Sequence, residues 1–198
     1  MIDNYFDKIF YINLKKDVER NSRMLEEFHK YNINNFERVD GVLYDLIPDR
    51  NLWRNFNKSD EKYVIGSLGC RDSHLKAVGI AKERKYKRVL ILEDDIRFIV
   101  NPNKLSFPNI EWDMLYLGGA IESYFRNQIV GGYAYGISER IYDDILNMAI
   151  PSGMEIDNFY AKILQHMSLN SGRDGQYDVQ KIQPFPIEVD LSFTSNIR

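Results

Sequence analysis

Glu93-Asp94-Asp95 is the stretch with the clearest chemical potential. Three adjacent carboxylates repel one another unless something cationic lies among them. They follow Val89-Leu90-Ile91-Leu92, an apolar run without alternation, the pattern of a strand covered on both faces. Acids at the end of such a strand stand at the carboxyl edge of the sheet, where open α/β folds bind ligands. Alternation sends Glu93 and Asp95 to one side and Asp94 to the other, so the first and third acids form the natural pair. A divalent metal answers the repulsion. A hard cation on carboxylates suits phosphate-bearing ligands and can stabilise a departing diphosphate. The competing reading is a solvated acidic strand end, with Ile96 and Phe98 continuing the strand.

The elements that must position these acids alternate between strand and helix. Ile9 to Leu14 is β-branched and aromatic and reads as the first strand. Asp17 is a candidate N-cap for a helix running to about Tyr31, with Val18, Met24, Leu25 and Phe28 facing the core. Phe36 to Asp40 follows as a second strand, and parallel pairing is the default for such a β-α-β unit. Residues 42 to 65 show no clean period and read as a long irregular excursion. Gly66 to His74 opens the next helix, with Cys70, His74, Ala77, Ala81 and Lys85 on one stripe. After the acids, 102 to 108 is a loop. Trp112 to Leu117 is a fourth strand, 121 to 127 a loop and Tyr133 to Ile137 a fifth strand. Ser138 caps a helix to about Met148, with Ile141, Ile145 and Leu146 inward, broken by Pro151-Ser152-Gly153. Ile156 to Met167 reads as another helix, with Phe159, Ile163 and Met167 in phase. Val179 to Ile182 and Pro186 to Val189 are short extended pieces. The class is a single α/β domain spanning residues 1–198, with a mostly parallel central sheet flanked by helices.

Composition narrows the function. The chain has 198 residues, with 44% hydrophobic and 28% charged, ordinary for a globular domain with a sizeable core. A formal net charge of -3 gives no basic field for nucleic acid. Cys70 is the single cysteine, so no intrachain disulfide forms, and a reducing, cytoplasmic setting is expected. There is no transmembrane segment by length and no basic-then-apolar signal pattern. The run Lys82 to Arg88 reads as a solvated helix end favoured by the dipole, with peripheral contact to an acidic membrane as the alternative. The phosphate-loop, dinucleotide and nucleophilic-serine fingerprints are absent. What remains is a metal-diphosphate site without an evident covalent nucleophile.

Four stretches in order resemble glycosyltransferase family 25, the enzymes of bacterial lipooligosaccharide assembly and the collagen galactosyltransferases. They are Tyr11-Ile12-Asn13-Leu14 with Asp17 and Arg20; Gly66 to His74, similar to a Gly-Cys-x-x-Ser-His motif; Leu92-Glu93-Asp94-Asp95; and Trp112 to Gly118. Tyr133-Ala134-Tyr135 and Ile156-Asp157 match more weakly, and Thr194-Ser195-Asn196-Ile197 carries Asn196 where the family has an acid. The resemblance implies a GT-A-like fold, a nucleotide-sugar donor and inversion at the anomeric carbon. The donor it implies is a UDP-hexose, galactose first and glucose next, passed to a glycan or other hydroxyl acceptor. Residues 1–100 would form the nucleotide-sugar half and 101–198 the acceptor half.

The resemblance also implies roles. Asp95, with Glu93, would hold manganese or magnesium (Mn2+ or Mg2+) on the diphosphate, with Glu93 or Asp94 near the ribose or metal. Asn13, Leu14 and Arg20 would lie along the nucleotide, Asp40 would face the base, and His74 and Gly118 would lie near the donor. Asp157 is the candidate general base and Glu155 the second choice. Asp157 sits at an expected helix start, whose dipole lowers a carboxylate's pKa, so a local partner must offset it. Each has a plainer reading: Asp157 as a helix cap, His74 as a satisfied helix residue, Arg20 as a solvated charge and Cys70 as a small packed residue. His29 and His166 read as structural, while Trp53, Tyr124 and Phe125 are candidates for stacking on a sugar. Two other functions compete: a nucleotide-sugar-binding domain without turnover, and a metal-dependent phosphohydrolase.

Overall fold

Strand β3 (Arg88–Glu93) lies inside a six-stranded sheet in the computed structural model, which describes residues 1–122, 128–165 and 177–192. Its neighbours are β1 (Lys8–Asn13), which follows the short α1 (Ile2–Tyr5) and runs parallel to β3, and β8 (Ala134–Ser138), antiparallel. The order continues outward to β2 (Phe36–Asp40) on one side and to β5 (Met114–Tyr116) and β9 (Val179–Lys181) on the other. β1 pairs parallel with β2, and β5 parallel with β9, so β8 alone runs against the rest. The sheet is mixed and mostly parallel, and it draws strands from both halves of the chain.

Val89 to Leu92 are wholly buried because each face of β3 has its own cover. Val89 and Ile91 pack with Ala77, Val78 and Ala81 of α3 (Glu61–Glu83) and with Ile145 of α4 (Tyr142–Ser152). Leu90 and Leu92 pack with Met24 and Phe28 of α2 (Val18–Lys30), beside Tyr11 and Trp112. Each such side chain contributes on the order of 1.5–3 kcal/mol of burial. This two-sided cover lets the apolar run reach the acids without interruption.

Several expectations need correction. Val18 is 70% exposed and Leu25 41% exposed, and Arg20 takes the inward position on α2 instead, held by the acids at the end of β3. Helix α3 begins at Glu61 rather than Gly66, because Asp60 caps it by accepting from the Tyr63 N–H at 3.0 Å. Lys85 lies beyond that helix at a φ of 57°. Ile96 and Phe98 do not continue β3. The chain turns at Asp94-Asp95, and β4 (Ile96–Phe98) pairs with β10 (Ile187–Val189) in a separate ribbon. The segment after Gly119 is not all loop, since β6 (Ala120–Glu122) pairs with β7 (Gln128–Val130). Ser138 makes no capping bond and α4 starts at Tyr142. Pro151 does not break α4, which runs to Ser152 and stops at Gly153, whose φ is 65°. α5 (Ile156–Phe159) passes at once into a π-helical stretch, Tyr160–Gln165. Met167, His166, Tyr124, Phe125 and 194–197 lie outside the described residues.

The excursion at 42–60 contains a single 3-10 turn, Arg50–Leu52, yet it is stapled to its surroundings. Buried Arg71 donates to the Leu52 carbonyl at 2.6 Å, the Val42 N–H donates to Ser73 Oγ at 2.7 Å, and the Asn55 N–H donates to the Gly153 carbonyl at 3.0 Å. The basic run is also partnered: Lys82 pairs with Asp143, and Arg84 with Glu37 at 2.5 Å. No described helix is long and apolar enough to cross a membrane.

Two glycines on α3 separate packing from propensity. A Cβ at Gly69 would meet the Val42 carbonyl oxygen at 2.6 Å, whereas nothing lies within 4 Å of one at Gly79. Gly69→Ala should lower unfolding free energy by about 1–3 kcal/mol through overpacking. Gly79→Ala should raise it by about 0.5–1 kcal/mol through helix propensity. Urea unfolding checks both, and equal signs would contradict this packing of α3 against the excursion.

Candidate functional site

The parallel strands β1 and β3 end side by side, and their carboxyl ends bring Asn13 and Glu93 to one crevice. The turn that follows β3 changes the expected geometry of the acids. Alternation stops at Glu93, so Asp94 is not sent to the far side, and Glu93, Asp94 and Asp95 line one cleft of about 510 Å³. Ile12, Leu14, Lys16, Arg20, Val42 and His74 line the same space.

Arg20 organises the acids. It reaches Asp94 Oδ1 at 2.6 Å and Asp95 Oδ2 at 3.4 Å. Asn13 Nδ2 donates to Asp94 Oδ2 at 2.7 Å and to the Asp17 carbonyl at 3.1 Å. Both Asp94 oxygens are therefore engaged within the protein. Asn13 acts as a strut between β1 and the turn, and Arg20 is a buried partner rather than a solvated charge. Asp95 differs: its Oδ1 is buried and makes no hydrogen bond. Burial, then the neighbouring Glu93, push its carboxyl up to about 7 despite Arg20. A buried carboxylate oxygen without a partner, in a crowd of acids, fits a divalent cation. Glu93, more exposed at 30% of its side chain, stands within reach of the same space.

A second cleft of about 370 Å³ adjoins the first, and the two share Cys70 and Glu93. Asn57, Lys58, Tyr63 and Ser67 line one side of it, and Gly132, Glu155 and Asp157 the other. A Cβ on Gly132 would stand 3.9 Å from Asp157 Cβ and 4.0 Å from Glu93 Oε1, so that glycine keeps the space between the two acids open. Asp157 accepts from the Asn158 N–H at 2.8 Å, and its carboxyl is pushed upward, first by burial and then by Glu155 and Glu93. Burial is thus the offset that the helix start demanded. Glu155, not Asp157, holds the N-cap position of α5. Glu155 is occupied: Oε1 accepts from the Asn57 N–H at 2.6 Å and Tyr63 at 2.9 Å, and Oε2 from Asn158 at 2.9 Å. It fastens the excursion to α5, whereas Asp157 accepts only from the adjacent backbone among the described residues.

Other expected residues lie apart. Asp40 is exposed, pairs with Arg38 and lines neither cleft, although Gly41 next to it does. Gly118 lines neither cleft, and its hydrogen faces Tyr133, whose ring a Cβ would meet at 2.3 Å. Trp53 donates to the Pro48 carbonyl at 3.2 Å and stacks under Arg50, while His29 is exposed on α2. Lys16, Lys62, Ser73 and Cys70 line the site without having been singled out for it. Lys16, two residues past Leu14, was the legible one, since a cation just beyond a strand end suits phosphate.

The raised Asp95 carboxyl has a sign that stability can test. Its folded value lies near 7 and its ordinary value at 3.8, so the folded chain binds the extra proton between them. Stability contributed by this group is therefore present at low pH and lost as pH rises through that window. In metal-free protein, Asp95→Asn should raise unfolding free energy by about 1–3 kcal/mol at pH 8 and change it little at pH 4. Denaturant titrations at the two pH values decide it; an equal effect at both would show that Asp95 is an ordinary carboxylate.

Comparison with known proteins finds relatives in sequence and in fold. The chain is 28% identical over 156 residues to procollagen galactosyltransferase 1-B of Xenopus laevis, covering 66% of this chain and 25% of that one. It is 33% identical over 155 residues to a glycosyltransferase 25 family member of Drosophila melanogaster, covering 65% and 25%. It is 28% identical over 155 residues to the human inactive glycosyltransferase 25 family member 3, covering 66% and 26%. The chain thus spans about a quarter of the length of these curated relatives. Among solved structures, a Drosophila galactosyltransferase 7 mutant in complex with manganese, UDP-Gal and xylobiose superposes with a TM-score of 0.49 at 12% identity, over 96% of this chain and 70% of that one. The family model described as Glycosyltransferase family 25 (LPS biosynthesis protein) matches residues 6–135, which include the ends of β1 and β3, helix α3 and all three acids. The chain belongs to glycosyltransferase family 25.

Proposed function

We propose that this chain transfers a hexose from a UDP-sugar to a hydroxyl acceptor with inversion. The observation that carries the reading is the meeting of two clefts at Glu93, one holding Arg20, Asp94 and Asp95 and the other Asp157. The larger cleft takes the nucleotide sugar. Its walls include the apolar Ile12, Leu14, Val42 and Ile65, suited to a base and ribose, and the cations Lys16, Arg20 and Lys62, suited to a diphosphate. All of its lining residues fall between 12 and 95, which supports the division into a donor half and an acceptor-side half. The smaller cleft takes the acceptor. The relative named for procollagen galactosyltransferase supports galactose as the sugar.

Asp95, with Glu93 beside it, would hold the divalent cation, manganese or magnesium, which when bound neutralises charge on the diphosphate leaving group. Asp157 accepts the proton of the acceptor hydroxyl as its oxygen attacks the anomeric carbon. The bond from that carbon to the diphosphate oxygen breaks on the opposite face, which inverts the centre. Burial keeps the Asp157 carboxyl above its ordinary range, nearer the working pH that a general base needs. Arg20 and Asn13 hold the turn, so the acids do not reorganise during reaction.

A panel of nucleotide sugars, assayed for transfer and donor hydrolysis with manganese, tests this. UDP-galactose should be turned over best, activity should vanish with chelator, and Asp95→Ala should abolish it with the fold intact. Asp157→Asn should slow turnover by roughly a hundredfold or more with donor affinity nearly unchanged. Full activity of Asp95→Ala in chelator refutes the metal assignment, and near-normal turnover of Asp157→Asn refutes the base. A second reading, donor binding without turnover, is favoured by the relative that is itself named inactive. UDP-sugar binding by thermal shift with no transfer or hydrolysis would establish that reading instead.

A further inference from the structure

Cys70 and His74 are four residues apart on α3, so their side chains stack on one helix face. Paired histidines on a helix bind zinc at the same spacing. Glu93 faces them from the end of β3. One donor atom from each of the three, the Cys70 Sγ, a His74 ring nitrogen and a Glu93 carboxylate oxygen, lie within 4.8 Å of one another. His74 Nε2 and Glu93 Oε1 are already 3.4 Å apart. That matches the edge of about 3.3 Å expected between two ligands of a tetrahedral zinc with bonds of about 2.0–2.1 Å.

His74 supplies an independent observation. It is 1% exposed, and its Nε2 makes no hydrogen bond. Its Nδ1 lies 2.7 Å from the Tyr135 hydroxyl, which lies 3.0 Å from that of Tyr160. With Nδ1–H donated to Tyr135, the lone pair of Nε2 points at the Glu93 carboxylate. At 3.4 Å the other tautomer makes no hydrogen bond to Glu93 either, and a cation between the two groups would engage both. An outer partner that fixes the tautomer and frees the other nitrogen is the usual setting of a metal-binding histidine.

We propose that Cys70, His74 and Glu93 form a site for a thiophilic divalent cation, zinc, whose fourth position opens where the two clefts meet. Thiolate and imidazole select zinc over manganese and magnesium, so this site differs in chemistry from the hard-cation position at Asp95. The two share Glu93, and zinc would draw that carboxylate away from the acidic cluster. Zinc binding here does not depend on the transferase reading.

The experiment titrates the metal-free whole chain with Co2+, followed by absorbance, and with Zn2+ in competition with a chromophoric chelator. One equivalent of Co2+ should bind with a thiolate charge-transfer band and tetrahedral absorption, both removed by Zn2+ and neither by Mg2+. Cys70→Ser, nearly isosteric, should lose the band and bind zinc at least tenfold more weakly, as should His74→Gln. Asp95→Asn should keep the band. Absence of the band, zinc affinity unchanged in Cys70→Ser, or a band abolished by Asp95→Asn would overturn the assignment. Circular dichroism of each variant accompanies the titration, and Cys70→Ser decides should His74→Gln fail to fold.

Discussion

The site depends on one electrostatic constraint: carboxylates delivered at the end of a buried apolar run must be compensated where water is scarce. Arg20 and Asn13 do this for Asp94, whose oxygens are engaged by a guanidinium and an amide. Removing Arg20 would leave a buried charge uncompensated, a loss of several kcal/mol by the usual scale for such pairs, whereas removing Asn13 would unpair only one Asp94 oxygen. Because Arg20 comes from α2 and Asn13 from β1, that compensation also ties the first β-α unit to the turn after β3. Asp95 receives only the remainder, a 3.4 Å contact with Arg20, and it keeps one oxygen unpartnered. The unequal sharing of one guanidinium is what separates a structural acid from one poised for a ligand.

The same economy recurs at the second cleft. Two acids stand two residues apart, and the packing of the excursion gives them different tasks. Glu155 is consumed by Asn57, Tyr63 and Asn158, so it holds the residue 42–60 segment against α5. Asp157 lines the cleft and accepts from the Asn158 N–H, with burial raising its affinity for a proton. Arg71 complements this from α3 by holding Leu52. Without these staples, the wall that Asn57 and Lys58 give the second cleft would have no defined position, because the excursion contributes little regular structure of its own. An irregular segment can serve a site when its backbone groups are satisfied from rigid neighbours.

His74 and Cys70 show how a helix can place chemistry inside a packed interface. α3 is buried along much of its circumference, so its polar side chains must find partners or remain strained. Ser73, Arg71 and the Nδ1 of His74 find them. The His74 Nε2 does not, and it faces the junction of the two clefts. A polar atom left unsatisfied in an otherwise satisfied helix is a local cost, and such costs concentrate where ligands bind.

The strands, their parallel start and the acidic run were legible in the sequence because they rest on local periodicity. Val89 to Leu92 fits a doubly covered strand, and parallel pairing is the default for Phe36 to Asp40 after its helix. The family likeness was legible for much the same reason, since three of its four motifs lie on or beside strands and the fourth lies on α3. Alternation failed at Asp94 because a turn, which has no period, begins there. The inward-facing Arg20 was not legible, because helical spacing rates an arginine as solvent-facing until a buried carboxylate across the sheet attracts it. The different fates of Glu155 and Asp157 were equally hidden, since they are set by Asn57 and Tyr63, about a hundred residues away. The sequence by itself determined the acidic run and the strand end that presents it. Only the tertiary structure decided which of those charges are spent on one another and which remain for a ligand, because that depends on long-range pairing in a low dielectric.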